Sequence, residues 1–558
     1  MLAAAAPVLF SGGLSPAAAA VTEADMAAQV ERGGKVFSQI CWTCHQTGGQ
    51  GLAGIFPPLA GSDYLMGSNE RVIRDLILGL SGEVTVNGVK YNNVMPPSGL
   101  DDGKIADVLT YARRSWGNQG PALTAGEVAK VRASLSLTKE NVAAMQAGFL
   151  PLPAAPEGFT IQELAQTPEQ VSRLASDGNP GRAFMLSTSG NMWRLDTETG
   201  AVQPVARAEE FLNSKGGVNC MGLAFDRKKR LYITGNRQDR SEQITMNRVT
   251  IFRTDGPLEE GVPAKPRPWL EVTYPWGIGP FNHGVGHLAL GPDGMLYCGS
   301  GSRTDGNEPG NDGRLAKTGE HPLTACIWRL DPEKEKPEPE IFARGLRNPY
   351  GFCWTPSGEM FATDNGPDAD APEELDVIVR GAHYGFPYQF SDWTQKAYPY
   401  SPDAPAGLKM TRPLINAGPD GGFSGNANGN GAPMSTFDPH SCPAGFCYLD
   451  DTFPENCRGA FLIPRFGNML PKPLDTGFDA VLVRPLPAPA AVSGAGQEAA
   501  ENARRVSVKT FLTPLGRPVD ALVSGPGTIL IAEYSRSASN SGPGAMLPGR
   551  ILRLRAVK

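Results

Sequence analysis

What this chain of 558 residues lacks removes whole classes of function. It has no apolar run as long as a membrane span, so no integral helix is expected. It has no basic excess: 51 Lys and Arg face 57 Asp and Glu, a net charge of −6, and a nucleic-acid partner is not expected. It has no strand–G-x-G-x-x-G–helix unit. The glycines between 425 and 431 fall in a Gly/Asn-rich loop, which argues against nicotinamide and flavin dinucleotides. It has no second C-x-x-C to complete a zinc cage around the one present. Its first twenty residues, small and apolar and ending in Ala17–Ala20, carry no Lys or Arg. Residues 1–22 thus fit the apolar core and cleavage site of an export signal without its basic start, as in a truncated leader.

The one C-x-x-C is Cys41-Trp42-Thr43-Cys44, and His45 follows it directly. That histidine makes the motif a c-type haem attachment site rather than a thioredoxin-like pair or half a zinc site. Two thiols add across the haem vinyl groups and the histidine takes the iron. Met26, Val30, Val36, Phe37 and Ile40, at near-helical spacing, predict a helix that delivers the chain to the motif. The second axial ligand is expected to be Met95, in Tyr91-Asn92-Asn93-Val94-Met95-Pro96-Pro97, where the prolines hold the backbone extended. Met66 competes, but its loop has no Met-Pro pair and a packing role is expected of it. Ile105, Val108, Leu109 and Ala112 then predict a helix over Asp102 to Trp116. Haem helix, Pro57-Pro58-Leu59 loop, Met-Pro-Pro loop and terminal helix together resemble the class I cytochrome c domain, assigned to residues 23–120. A methionine ligand raises the haem potential and suits an electron acceptor. Covalent haem and the leader-like start both point to the periplasm.

Residues 121–157 read as a linker, with a short helical piece near Gly126 to Leu135 and then the proline-rich run Gly148 to Pro156. Apart from the haem pair, seven cysteines remain, an odd number that cannot pair completely. Cys298 and Cys353 sit in apolar runs and are expected to be buried; Cys442 and Cys447 are close enough in sequence for a loop-closing disulfide.

From residue 158 onward one pattern returns: a short apolar strand, a glycine-containing turn, a second apolar strand. It is read at Phe184–Leu195, Gly222–Ile233, Leu288–Tyr297, Phe352–Phe361, Phe446–Ile463 and Ala521–Ala532. Turn chemistry between apolar runs is the hairpin signal, and six recurrences predict a six-bladed β-propeller over residues 158–558. A stacked sandwich would not return the same hairpin so regularly. The expected fold is therefore an all-β propeller behind an all-α cytochrome c domain.

Polar clusters stand where strands are entered. Phe281-Asn282-His283-Gly284-Val285-Gly286-His287 precedes the third hairpin, Gly345-Leu346-Arg347-Asn348-Pro349-Tyr350-Gly351 the fourth, and Gly516-Arg517-Pro518-Val519-Asp520 the sixth. The fourth hairpin is answered by Asp364-Asn365-Gly366-Pro367, Glu373-Glu374-Leu375-Asp376 and Tyr384-Gly385-Phe386-Pro387. Together these resemble the soluble quinoprotein sugar dehydrogenases, the glucose, aldose and sorbosone dehydrogenase family, six-bladed propellers that bind pyrroloquinoline quinone (PQQ) and calcium. The resemblance implies that His283 is the catalytic base and that Arg347 and Asn348 lie over the quinone. It implies calcium on the Gly366 and Pro367 carbonyls and a PQQ carboxylate on Arg517. Two departures show: Asn282 stands where an acidic residue precedes the catalytic histidine in family glucose dehydrogenases, and Arg465 stands where a basic PQQ contact is expected.

The residue types suit that chemistry on their own terms. Oxidising a hydroxyl needs a base near neutral pKa, which histidine supplies. Charge gathering on an accepting carbonyl is met by a guanidinium or a hard cation, carboxylates by arginine forks, and calcium by oxygens. Ordinary roles compete: a structural histidine at His283 or His287, a turn at His383, a loop position at His440, a strand cap at Arg347, a solvated acidic face at 364–376. The expectation is a periplasmic enzyme with haem c, PQQ and Ca2+. It would oxidise a sugar or aldehyde and pass electrons to an external cytochrome, copper protein or quinone-linked oxidase. A cytochrome carrying a catalytically empty propeller, or a lactonase-like hydrolase, is the alternative.

Overall fold

The computed structural model describes residues 23–52, 55–80, 84–91, 95, 98, 100–134, 150–212, 217–239, 244–277, 283–306, 319–367, 371–391, 396, 401–420, 435–468, 476–487, 504–537 and 548–557. The leader-like segment, Asn282 and the prolines after Met95 lie outside them. The chain divides into two compact units: Met1–Ile77, Glu83–Tyr91 and Pro97–Ser136 form the first, and Leu78–Gly82 and Asn92–Pro96 cluster with Leu137–Lys558 in the second.

The first unit is helical. α1 (Glu23–Val36) runs through one π-helical turn, Phe37–Cys41, into α2 (Trp42–His45), so the predicted haem helix ends in a widened turn at the motif itself. α3 (Asn69–Leu78), α4 (Asp102–Arg114) and α5 (Ala125–Ser134) follow. Asp101 caps α4 by accepting from the Lys104 N–H at 2.8 Å, and Ile105, Val108, Leu109 and Ala112 are its buried face, as their spacing predicts. Contact between α1 and α4 depends on Gly33, where a Cβ would fall 2.0 Å from the Asp107 carbonyl oxygen. Beside it Phe37, Tyr111 and Trp116 pack ring against ring, with centroids 5.0 to 5.4 Å apart. One short hairpin, β1 (Val84–Val86) and β2 (Val89–Tyr91), turns on Asn87 and Gly88 with φ of 53° and 77°.

The second unit is the six-bladed propeller. Its strand β3 (Phe159–Gln166) is set apart from the run that follows it. The first blade is β4 (Val171–Ala175), β5 (Arg182–Ser187), β6 (Met192–Asp196) and β7 (Val202–Ala206). The second is β8 (Val218–Phe225), β9 (Arg230–Asp239), β10 (Met246–Pro257) and β11 (Arg267–Pro275). The third is β12 (Val285–Leu290), β13 (Leu296–Ser300), β14 (Cys326–Leu330) and β15 (Glu340–Arg344). The fourth has three strands, β16 (Pro349–Trp354), β17 (Met360–Asp364) and β18 (Glu374–Ile378). The fifth has five: β19 (Ile415–Pro419), added in parallel outside β23 (Arg505–Leu512), then β22 (Asp479–Pro485), β21 (Phe461–Arg465) and β20 (Cys447–Tyr448). The sixth is β24 (Pro518–Gly525), β25 (Thr528–Glu533) and β26 (Arg550–Ala556), and β3 completes it as the outer strand beside β26.

Five of the six predicted hairpins are the two inner strands of their blades. The first, Phe184–Leu195, is instead β5 and β6; the innermost strand is β4, Val-Ser-Arg-Leu-Ala, whose buried Ser172 and Arg173 disguise it. Apolar residues between neighbouring blades form the core, as where Tyr232 and Trp269 of the second blade meet Leu296 and Trp328 of the third. Cys298 is buried as expected and Cys353 partly so. No disulfide joins Cys442 to Cys447, because Cys447 points into the core between the fifth and sixth blades.

Candidate functional site

In the first unit, His45 closes α2 and its Nδ1 lies 2.9 Å from the Pro57 carbonyl oxygen, in the Pro-Pro-Leu loop. Nδ1 must carry the proton to make that bond, which leaves the Nε2 lone pair for a metal. Burial holds the imidazole below the usual histidine pKa, so it is neutral and ligand-ready. Burial, and then Cys44, pushes the Cys41 thiol up to about 12. These residues fit a covalent haem: two adjacent thiols and a histidine of fixed tautomer. Met95 exchanges backbone hydrogen bonds of 2.8 Å with Leu80 and is half-buried. Met66 is 39% exposed, its thioether lying over Gly120.

In the propeller, the hairpin order puts His283 at the entry of β12 and Arg347 and Asn348 at the entry of β16, innermost strands of adjacent blades. They come together: burial first, then the Arg347 charge, keeps the His283 imidazole well below its ordinary pKa and neutral. Its Nδ1 is buried and has no hydrogen-bond partner among the described residues. Gly301, after β13, permits this position, since a Cβ there would sit 2.3 Å from the His283 carbonyl oxygen.

Arg347 is held from three sides. Its backbone N–H donates to Asp364 Oδ2 at 2.9 Å, its guanidinium pairs with Asp305 at 2.5 Å, and Nη1 donates to the Asn365 carbonyl at 3.1 Å. The Asn348 N–H donates to the other Asp364 oxygen at 2.6 Å. Asp305 and Asp364 are the residues the sequence reading missed in these roles; Asp305 lies in a Gly-containing loop after β13 that carries no motif.

Arg517 enters β24 almost wholly buried, between the Phe466 and Phe478 rings, each 5.0 Å away, and donates to the Asn468 carbonyl at 3.1 Å. Arg465 spends its fork on Asp479, its strand partner, at 2.8 and 2.6 Å, while its buried Nη1 makes no hydrogen bond among the described residues and lies 3.9 Å from an Asp438 oxygen. Gly366 and Pro367 follow β17 directly. Beside them Asp364, Glu374 and Asp376 place carboxylate oxygens within 4.8 Å of one another, all three buried. Neither Asp376 oxygen has a hydrogen-bond partner, and burial raises all three carboxyls, Asp364 to about 7. Oxygen donors so placed fit a hard cation near the Gly366–Pro367 turn.

A cavity of about 200 Å³ opens between the second, third and fourth blades, lined by Asn219, Met221, Trp276, Gly284, Asn348 and Tyr350 among others. The Trp276 indole N–H is buried and unpartnered. The walls are neutral amides and rings, suited to an uncharged polar molecule beside His283. His287 is half-buried, its ring edge to face with Phe352 at 4.5 Å. His383 takes a turn role, Nδ1 accepting from the Gly385 N–H, and His440 is a buried loop residue with φ of 61°. Arg173 on β4 reaches the Met221 and Tyr350 carbonyls, tying three blades at the axis.

Residues 168–446, half of the chain, match the glucose/sorbosone dehydrogenase family model. The chain belongs to the glucose/sorbosone dehydrogenase family. The match spans β4 to the start of the fifth blade and so includes His283, Arg347, Asn348 and the Gly366–Pro367 turn. Residues 30–116 match the cytochrome c model. Cytochrome c-552 of Thermus thermophilus is 42% identical over 122 residues, 20% of this chain and 92% of that protein. Quinoprotein glucose dehydrogenase B of Acinetobacter calcoaceticus is 23% identical over 312 residues, 48% of this chain and 63% of that protein. Among solved structures, the PQQ-bound aldose sugar dehydrogenase of Streptomyces coelicolor is 18% identical with a TM-score of 0.45, covering 72% of this chain and 99% of that one. Among the described residues no helix is long and apolar enough to cross a membrane.

Proposed function

We propose that this chain is a periplasmic quinohaemoprotein dehydrogenase. It oxidises a sugar or related hydroxyl or aldehyde substrate, with PQQ and calcium in the propeller and haem c in the first unit. The observation that carries the reading is the desolvated, neutral His283 imidazole, its Nδ1 unengaged among the described residues and the Arg347 charge acting on it, with the next residue of each, Gly284 and Asn348, lining a neutral, amide-walled cavity. Membership of the dehydrogenase family and the cytochrome c match on the same chain support it.

His283 would accept the substrate O–H proton, the arginine keeping the resting imidazole unprotonated and so able to take it. Asn219, Asn348 and the Trp276 N–H would orient the substrate hydroxyls in the cavity. Arg347, fixed by Asp305 and the Asn365 carbonyl, would present positive charge to an oxygen gaining negative charge. Arg517 would pair with a PQQ carboxylate and the Gly366 and Pro367 carbonyls would hold calcium. Bound PQQ supplies a two-electron acceptor. Cys41, Cys44, His45 and Met95 would hold the haem that passes those electrons singly to an external acceptor such as a cytochrome, copper protein or quinone-linked oxidase.

The test is the visible spectrum of the haem-loaded chain on adding PQQ and Ca2+, then a panel of sugars and aldehydes. Substrate-dependent growth of the reduced haem bands is expected. A chain that binds PQQ yet reduces its haem with no substrate, or hydrolyses lactones instead, would overturn the proposal.

A further inference from the structure

A second cleft of the propeller lies apart from the residues assigned to catalysis and to PQQ. It measures about 270 Å³ and is lined by Glu320, His321, Pro322, Arg344, His383 and Tyr388 among others. Its two histidines have the same tautomer for the same reason. His321 Nδ1 accepts from the Leu323 N–H at 3.2 Å and His383 Nδ1 from the Gly385 N–H at 3.1 Å. An imidazole whose Nδ1 accepts carries its proton on Nε2, so both rings offer an N–H donor and neither is set up to ligate a metal through that nitrogen.

Arg344 joins the two. Its Nη1 donates to the Pro322 carbonyl at 3.0 Å, next to His321, and its backbone pairs with His383 in a parallel bridge. The next residue is glycine because it must be: at Gly345, with φ of 78°, a Cβ would lie 2.5 Å from the His383 ring. The carboxylate in the lining is already engaged. Glu320 accepts from the Arg303 N–H and the Thr304 and Thr324 hydroxyls at 2.9, 2.8 and 2.7 Å. His321 stacks on Tyr274 at 5.7 Å and His383 on Tyr388 at 5.8 Å, which sets both ring planes.

We infer that this cleft binds a small oxyanion, a carboxylate or phosphate group, gripped by the Arg344 guanidinium and the Nε2–H groups of His321 and His383. The guanidinium fork matches two oxygens of either group, and the imidazoles close on the remaining lone pairs. Both imidazoles bind in the neutral form. His321 faces Glu320, Arg303 and Tyr274, and His383 faces Arg344 and Tyr388. Burial and then the neighbouring arginine hold each imidazole below its usual pKa, and a second proton would fall on Nδ1 against the Leu323 or Gly385 N–H. Acetate affinity is therefore expected to change little between pH 8 and pH 6.

The experiment uses the full chain, whose six histidines give few imidazole resonances, each assigned by a single His→Gln variant. Sodium phosphate and sodium acetate are titrated separately at pH 6 and pH 8. Saturable shifts of the His321 and His383 signals are expected at both pH values, and binding is expected to weaken about tenfold or more in Arg344→Gln, the loss of a charge-assisted contact. Arg344→Lys, which keeps the charge without the fork, should fall between. Saturation by phosphate alone or acetate alone supports the site and names its anion. No saturable shift from either, or shifts unchanged in both arginine variants, would overturn it.

Discussion

Arg347 serves two demands at once. Its charge helps keep His283 unprotonated, as the proposed base must be, and it is itself held by Asp305 so that its charge does not wander. If His283 is the base, His283→Ala should lower turnover by about two to four orders of magnitude while PQQ still binds, measured by dye-coupled kinetics and PQQ titration. Near-normal turnover would move the role to His287 or His440. Because the folded-state pKa is depressed, activity should persist on the acid side below pH 6.5, the ordinary histidine value. The linked stability is present above pH 6.5 and is lost as pH falls below it, where the unfolded chain takes a proton the folded one refuses. The buried carboxyls run the other way. With pKa values raised on folding, they cost stability as pH climbs from about 4, the unfolded carboxyl value, towards 7. In chelator-treated protein Asp376→Asn should therefore stabilise, by about 1–3 kcal/mol at pH 8 and much less at pH 5, in thermal melts. At this scale the sequence showed where C-x-x-C-H, His283 and Arg347 stand, because each lies in a short motif at the entry to an element. It did not show Asp305, since an ion pair spanning 42 residues is chosen by the way two blades meet.

Elements place these groups, and two of them can be tested. The turn after β13 comes so close to His283 that Gly301→Ala would force backbone apart. Its expected effect is a loss of turnover comparable to losing the base, with the fold retained in far-UV circular dichroism; full activity would mean the loop yields freely. In the haem-loaded chain, Met95→Ala should leave haem attached through Cys41 and Cys44 but lower its potential, read by redox titration. An unchanged potential would give the ligand role to Met66 or another group. Hairpins with a glycine turn between apolar strands were legible because both signals lie within a dozen residues. β4 was not, because Ser172 donates to the Leu186 and Cys220 carbonyls and Arg173 to Met221, polar bonds across blades that make a buried strand look like a surface one. The β1–β2 hairpin was passed over although its Asn87-Gly88 turn is a strong signal, since each strand has only three residues.

The whole propeller is held shut by β3, which pairs along β26 from Phe159–Ala556 to Gln166–Arg550. Leu164, in the middle of it, is buried among Leu195, Leu530 and Ile551. Leu164→Ala should destabilise the protein by about 2–5 kcal/mol in denaturant unfolding. Limited proteolysis should then cut near β3 or β26 before it cuts the second to fourth blades; uniform cleavage would count against a weak seam. Blade number could be counted from the repeat, whereas closure could not, because it depends on which far strand completes the sixth sheet. That closure also sets an order of events. The Thr160 hydroxyl and the Arg555 carbonyl it meets are 395 residues apart, so one edge of the ring must wait, unpaired, while nearly all the rest of the propeller is made. The C-x-x-C-H motif precedes every propeller strand in the chain and needs nothing from that late strand. The two halves of the molecule therefore mature on different clocks, and a chain interrupted before β26 would be a finished cytochrome tethered to an open, edge-exposed sheet, the kind of species that quality-control proteases and aggregation remove.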